Sequence, residues 1–480
     1  MKTILNIFTL FISITVLSQQ KVADFNADNT KEKNLFSVLD DKGRVVLFMA
    51  EKNKLTGIQF DDSFQITDSI SIPFNPKELK KMVASHPKQN QILIYWLTKN
   101  KNELYVQQFD FENKKVTANT IIVDPGKEKI VANFTNNNFF YVVTFTKNES
   151  TINVYKTDGN LVEKKVIDCS KFRFVNSSNQ KVNLWNLYDE NSGTVYYSGF
   201  ESISDASQTS LVKSTSIKKA YIRDQEVIFS FDNSTSYTQL LKVDLKNFTA
   251  TQKEYAQLSY GFNETNNGLP NSNIEMSNSF IINNKLIQVK NNAKSLNFQI
   301  VDFDGNVITK NVVKPDEDFG FNTSPMYLEE GSFKKRKELD SSKKLLRKIY
   351  YLNLSVTGYY HDGKYNLTLG GVSYPQQNSF SFGMFGLIGA LIDVAINHNN
   401  TISNINSYSN KNVVYINAMF DEDFNSLPNN PNTLALEKLR LFVEENDKFI
   451  NPTIFDKDSK IYYVGFNKES KKYGIYVFEN

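Results

Sequence analysis

Self-similarity constrains this chain more than any other feature. Several stretches share one plan, in which an aromatic or β-branched strand, a polar turn and a second strand follow one another. The copies start at Val45 (VVLFMAEKNKLTGIQF), Ile92 (ILIYWLTKNKNELYVQQF), Phe139 (FFYVVTFTKNESTINVY), a looser one at Val195, Val227 (VIFSFDNSTSYTQLLKV) and Leu286 (LIQVKNNAKSLNFQIV). Their spacings are 47, 47, 56, 32 and 59 residues, a mean of about 48. A unit of four strands and three tight turns needs about 40 to 50 residues, so each copy has the length of one propeller blade. A last copy starts at Ile461, and another is split between Gly363–Pro375 and Asn412–Leu427.

Turn chemistry agrees with this plan. Asp158-Gly159-Asn160 and Asp304-Gly305-Asn306 lie between strand patterns, 146 residues apart. Asp-Gly marks hairpins because glycine accepts the positive φ that tight turns demand. Composition points the same way, with 13% aromatic residues, 37 Phe and 24 Tyr against 11 Pro. Aromatic residues mixed with Asn, Ser, Thr and Lys suit pleated, half-buried surfaces.

In this pattern the chain resembles β-propellers, closer in blade length to the WD40 and kelch superfamilies than to β-helices. The resemblance covers most of the chain but carries no site residue, since neither the Gly-His…Trp-Asp signature nor the kelch double glycine recurs. It implies an all-β fold, a single seven- or eight-bladed propeller with a short apolar helical insertion. Tandem β-sandwich domains are the alternative, having similarly regular short strands. The last copy leaves no room for an outermost strand. Propellers fill that place with an N-terminal segment, and NLFSVLDD or the residues just before it can do so here.

The N-terminus reads as a secretory signal peptide over 1–19: Met1-Lys2, an apolar run from Ile4 to Leu17, then Ser18. Cleavage is expected after Ser18 or Gln19. No cysteine stands there to take a lipid, so residues 20–480 form an exported domain of the periplasm or the envelope facing it, or are secreted. The single cysteine, Cys169, cannot form an internal disulfide and reads as a buried thiol. A net charge of +3 is too small to argue for nucleic acid.

No catalytic or metal motif stands out. His86, His361 and His398 share no ligand spacing, with His86 placed in a loop before Pro87; no metal, cofactor or catalytic residue is assigned. Asp302-Phe303-Asp304-Gly305 begins like a calcium loop but lacks the closing glutamate, and a hairpin explains it better. Trp96 falls inside a strand and reads as core.

Two segments depart from the repeat. The basic linker, 333–349, carries Lys334, Lys335, Arg336, Lys337, Lys343, Lys344, Arg347 and Lys348 against two acids, a local charge of +6. It is either a solvated linker helix or a patch for anionic lipid or an acidic partner. The apolar insertion, 379–399, contains Met384, Phe385, Leu387, Ile388, Leu391 and Ile392 with one charge, Asp393, between Met384 and Ile396. A helix apolar all round must bury itself against its own fold, a partner or a membrane surface, and at about 1.5 Å per residue this one is too short to span a bilayer. The expectation is a non-catalytic exported binding protein that docks a protein or envelope partner, with peripheral membrane contact as a variant. The alternative is a glycan-active hydrolase or glycan-binding propeller.

Overall fold

The structure, a computed structural model, describes residues 20–26, 34–51, 53–75, 79–99, 102–190, 199–204, 207–258, 275–292, 294–373, 400–408, 411–428 and 434–480. Among these, seven antiparallel-based sheets of four or five strands follow one another along the chain, with one two-stranded hairpin besides. They are the blades of a propeller.

The chain enters with β1 (Gln20–Phe25). Blade 1 is β2 (Asn34–Leu39), β3 (Val45–Ala50), β4 (Lys54–Phe60) and β5 (Ile66–Pro73). Blade 2 is β6 (Leu79–Lys88), β7 (Gln91–Thr98), β8 (Glu103–Asp110) and β9 (Lys115–Ile122). Blade 3 is β10 (Lys129–Asn136), β11 (Phe139–Phe145), β12 (Thr151–Thr157) and β13 (Val162–Asp168). An excursion follows: hairpin β14 (Phe174–Val175) and β15 (Lys181–Val182), helix α1 (Leu184–Asp189), β16 (Glu201–Ser204) and helix α2 (Leu211–Ser214). Blade 4 is β17 (Lys218–Arg223), β18 (Glu226–Phe231), β19 (Tyr237–Asp244) and β20 (Thr249–Ala256), with β16 added in parallel along β17. Blade 5 is β21 (Met276–Ile282), β22 (Lys285–Asn291), β23 (Leu296–Asp302) and β24 (Val307–Val313).

Blade 6 is built out of order. Its outer strands β25 (Met326–Glu330) and β26 (Lys337–Leu339) come first, then helix α3 (Ser342–Tyr350) and the inner strands β27 (Asn353–His361) and β28 (Lys364–Val372). Helix α4 (Asn400–Ser407) precedes β29 (Asn412–Phe420), which lies between β28 and β25. Helix α5 (Ala435–Glu445) leads to blade 7, β30 (Phe449–Lys457), β31 (Lys460–Asn467) and β32 (Lys472–Phe478).

β1 supplies the fourth strand of blade 7, pairing antiparallel with β32 from Gln20↔Val477 to Phe25↔Tyr473. The Phe25 ring stacks on Tyr473 at 5.2 Å and meets Phe60 of blade 1 edge-on at 5.3 Å. Of the two closing segments expected, the residues before NLFSVLDD close the ring, whereas Asn34–Leu39 is the inner strand of blade 1.

Each repeat copy marks the second strand of a blade, and the reason is burial. β3, β7, β11 and β18 are covered on both faces by neighbouring blades, so they read as nearly continuous apolar runs. The copy at Val195 is the exception. Val195 lies among residues 191–198, outside the described set, and the described residues on either side belong to the excursion. The spacing from Phe139 to Val227 is therefore 88 residues, one blade plus an insertion.

The Asp-Gly-Asn turns occupy the same place, between third and fourth strands, in blades 3 and 5. They stand two blades apart rather than the three suggested by their separation. In six blades the third strand ends on an aspartate (Asp110, Asp244, Asp302) or is followed at once by one (Asp61, Asp158, Asp421), and its carboxylate accepts backbone N–H bonds from the turn. At Asp158 burial works against ionisation, but the Lys88 ammonium at 2.8 Å and the N–H groups of Asn160 and Leu161 override it and hold the pKa at about 2.

Candidate functional site

Strand order determines which atoms reach the axis. The inner strands β2, β6, β10 and β30 lie side by side, as do β10 with β17 and β21 with β27. Between β27 and β30 the chain inserts α2 and α4. Ser355 Oγ donates to Leu211 O at 2.8 Å and Thr357 Oγ1 to Thr209 O at 2.9 Å, laying residues 209–214 along β27. Asn404 of α4 donates to Gln208 O and accepts from the Ser210 N–H, locking helix and segment together. On blade 4, β16 covers the inner edge of β17.

The protein's own segments thus line the axis on blades 4, 6 and 7, and among the described residues none covers the inner strands of blades 1 to 3. The space left is a cavity of about 1230 Å³. Its wall includes five consecutive residues of β2 (Leu35 to Leu39) with Asp40 just after them, and all eight of β10, so these strands meet the cavity edge-on. The rest of the wall includes Phe200, Ser202 and Ser204, and Thr453, Phe455 and Asp456 of β30. The lining mixes amides and hydroxyls with apolar side chains, and Ile130 is 47% exposed there.

Three ionisable groups of this wall differ in their surroundings and partners. Asp456 lies deep in the channel, its carboxylate taking the Thr401 hydroxyl of α4 at 3.0 and 3.2 Å. Burial raises its pKa to about 6, and the Thr401 bond only partly offsets this. Asp40 is instead fully engaged: Arg44 Nε at 2.8 Å, Gln59 at 3.2 Å, and the N–H groups of Lys42 and Arg44. His86 lies in strand β6, not in a loop, because the strand runs on through Pro87 to Lys88. Its Nδ1 is 2.9 Å from Pro87 O and therefore carries the proton, leaving Nε2 to accept from Tyr95 Oη at 3.1 Å. Burial lowers its pKa, so it is a neutral core histidine.

The sequence-derived candidates fall elsewhere. Met384, Phe385, Leu387, Ile388, Leu391 and Ile392 lie outside the described residues, as does His398. The basic residues do not form one continuous face. α3 buries Leu345, Leu346 and Ile349 in the core of blades 5 and 6, with Lys343, Lys344, Arg347 and Lys348 on its flanks. Lys337 sits on edge strand β26, paired with Glu330 at 2.6 Å, and Lys344 pairs with Asp340 at 2.7 Å. Arg336 is exposed and lies over two rings, its guanidinium 4.1 Å from the Tyr327 ring centre and 4.7 Å from that of Phe333. The segment is thus no free linker: Lys335 belongs to a single 3₁₀ turn, Phe333–Lys335, and the chain then gives blade 6 a strand and a sealing helix.

Behind this turn is a charge cluster with no signal in the sequence. Arg440 of α5 donates to Glu329 at 2.6 Å, Tyr415 Oη donates to the other Glu329 oxygen at 2.7 Å, and the Arg440 guanidinium lies 3.5 Å from the Tyr408 ring centre. Glu329 and Arg440 are 2% and 5% exposed. The cluster joins β25, β29, α4 and α5 and is a structural clasp. Lys219, wholly buried between blades 4 and 5, is likewise structural: burial lowers its pKa to about 8, and it donates to Asn278 at 2.6 Å. Cys169 is buried, and burial pushes its thiol up to about 12. Trp96 is core, donating to Gln107 at 2.8 Å.

The channel residues escaped sequence reading because inner strands such as KIVANFTN show neither a clean alternation nor an apolar run. Polar residues in strands that precede each strong repeat copy were the available signal. Among the described residues no group of three or more His, Cys, Asp or Glu side chains is placed to hold a metal, and no helix is long and apolar enough to cross a membrane.

No family model and no curated protein matches the sequence. Among solved structures the chain is similar to an oligogalacturonate lyase in complex with manganese, at 8% identity and TM-score 0.34, covering 96% of this chain and 97% of that one. It is also similar to the WD40 domain of SCAP from fission yeast, at 10% identity and TM-score 0.27, covering 93% and 82%. A protein from Lactobacillus plantarum aligns at 11% identity and TM-score 0.27, covering 72% and 84%. These likenesses concern the fold alone, and the propeller assignment rests on the strand pairing.

Proposed function

We propose that this protein is an exported, non-catalytic binding propeller whose ligand site is the bare side of the central channel. The observation that carries this reading is the cavity of about 1230 Å³ with its wall of amides, hydroxyls and apolar side chains. That mixture, concave and drawn from several blades, is what ligand sites present. Export rests on the N-terminal pattern, and the closing strand starts at Gln20, so cleavage after Ser18 or Gln19 leaves it whole. Met384 to Ile392 and the basic residues of 334–348 are a proposed second contact, to a protein partner or envelope surface.

A glycan-active enzyme is the second reading, favoured by Asp456, since a carboxyl held near pKa 6 has the property of a general acid. Glycoside hydrolysis also needs a second carboxylate across the bond. Asp40, also on the wall, is committed to Arg44, Gln59 and two backbone N–H groups, which favours binding.

The test is thermal-shift screening of the mature protein against oligosaccharides and peptides, with Asn133→Trp filling the channel. A ligand shift that disappears in the variant is expected; one that persists there and in Ser202→Trp moves the site off the channel. Cell fractionation with N-terminal sequencing accompanies it, and a cytoplasmic protein that retains Met1 overturns export.

A further inference from the structure

We infer that the bare side of the channel binds an extended peptide by strand addition to the inner edge of β10. This rests on the channel being the binding site, and names what the site accepts.

The argument starts from unpaired backbone. In a strand, successive N–H and C=O groups point alternately to the two edges, and those on one edge need partners in a ladder or in water. β10 pairs with β11 on its outer side, and among the described residues no strand pairs with its inner side. No described side chain bonds to its backbone either. The register with β11 shifts between Ile130 and Ala132, which leaves a regular run from Ala132 to Asn136. Five residues at about 3.3 Å each offer an edge roughly 16 Å long.

The protein already shows what fits such an edge. β16, Glu201–Ser204, lies in the same channel as an extended segment and pairs in parallel with β17, from Glu201↔Lys219 to Ser204↔Ile222. Neighbouring β10, on blade 3, has a comparable edge and, among the described residues, no such segment, while the cavity runs along its whole length. A sugar chain cannot match the two-residue repeat of donors and acceptors along a strand edge, whereas another polypeptide main chain matches it without regard to side chains. Alternate side chains of the guest would meet two surroundings. One is apolar, from Ile130, Phe200 and Phe455; the other is polar, from Asn133 and Ser202. Alternating apolar and small polar residues should therefore bind best, with a footprint of four to six residues.

The test is fluorescence anisotropy of the mature protein with a labelled (Thr-Val)4 peptide. The same peptide N-methylated at every second residue, in both frames, and unlabelled maltohexaose as competitor complete the set. Binding of the plain peptide is expected, at least about tenfold weaker in one N-methylated frame and in Asn133→Trp. If that variant does not fold, Ser202→Trp takes its place. Equal binding of both N-methylated frames, or of the channel-filled variant, overturns strand addition at this edge. Maltohexaose binding that Asn133→Trp abolishes, with no peptide binding, overturns the peptide inference but leaves the channel as the site. If neither probe binds, the peptide inference fails, and the channel reading stands only on whatever other ligand the thermal screen finds.

Discussion

Gly159 and Gly305 form a matched pair that separates backbone strain from packing. Both are the glycine of an Asp-Gly-Asn turn between third and fourth strands, and both have φ of +97°. A Cβ on Gly305 would meet nothing within 4 Å, whereas on Gly159 it would stand 2.4 Å from Leu93 Cδ2 and 3.3 Å from Tyr95 Oη. Gly305→Ala should thus cost only the strain of an L-residue at positive φ, about 1–2 kcal/mol. Gly159→Ala bears the same strain plus an overlap of more than about 1 Å relative to ordinary carbon contacts. Leu93 is fully buried among Ala84, Tyr95, Val106 and Phe140, so it has no free space to move into. Overpacking of this kind costs a further 1–3 kcal/mol or so. Leu93→Ala alone costs about 2–5 kcal/mol, but combined with Gly159→Ala it should fall short of additivity by about the overlap term. For a chain of 480 residues, 1 kcal/mol moves Tm by only about 1 °C, so urea unfolding at fixed temperature, followed through Trp96 and Trp185, is the better assay. Equal destabilisation by the two alanines, within about 0.5 kcal/mol, would refute the contact between blades 2 and 3 as described.

Two further predictions concern buried charge. The folded pKa of Asp456 lies above its unfolded value, so its contribution to stability is fully present below pH about 4 and lost as pH rises through about 6. Asp456→Asn should flatten this decline, gaining no more than about 3 kcal/mol over wild type at pH 8; parallel urea midpoints from pH 4 to 8 would contradict it. Glu329→Ala should cost about 3–5 kcal/mol by leaving Arg440 buried without its carboxylate, and Glu329→Leu with Arg440→Met should cost less than either change alone, as read by urea midpoints.

Much of the ring was legible in sequence because second strands advertise themselves. VVLFMA, QILIYWLT and FFYVVTF are sandwiched between blades, and burial on both faces demands continuous apolar residues. The Asp-Gly-Asn turns were legible for a similarly local reason, that positive φ selects glycine. Blade counting failed at the excursion before blade 4, where β16 and α2 answer to the channel rather than to the repeat.

What the sequence determined by itself, then, was whatever depends on local conformation and two-sided burial: the all-β class, the blade length, the turn positions and an N-terminal closing strand. Tertiary structure alone decided the rest. Ring closure brought β1 to β32, its paired residues 448 to 457 positions away along the chain, and set Asp456 beside Thr401. Among the described residues it also left the inner edges of β2, β6 and β10 without a partner strand, while the chain's own segments covered blades 4, 6 and 7. Such features depend on which strands become neighbours around an axis, and no short-range pattern encodes that.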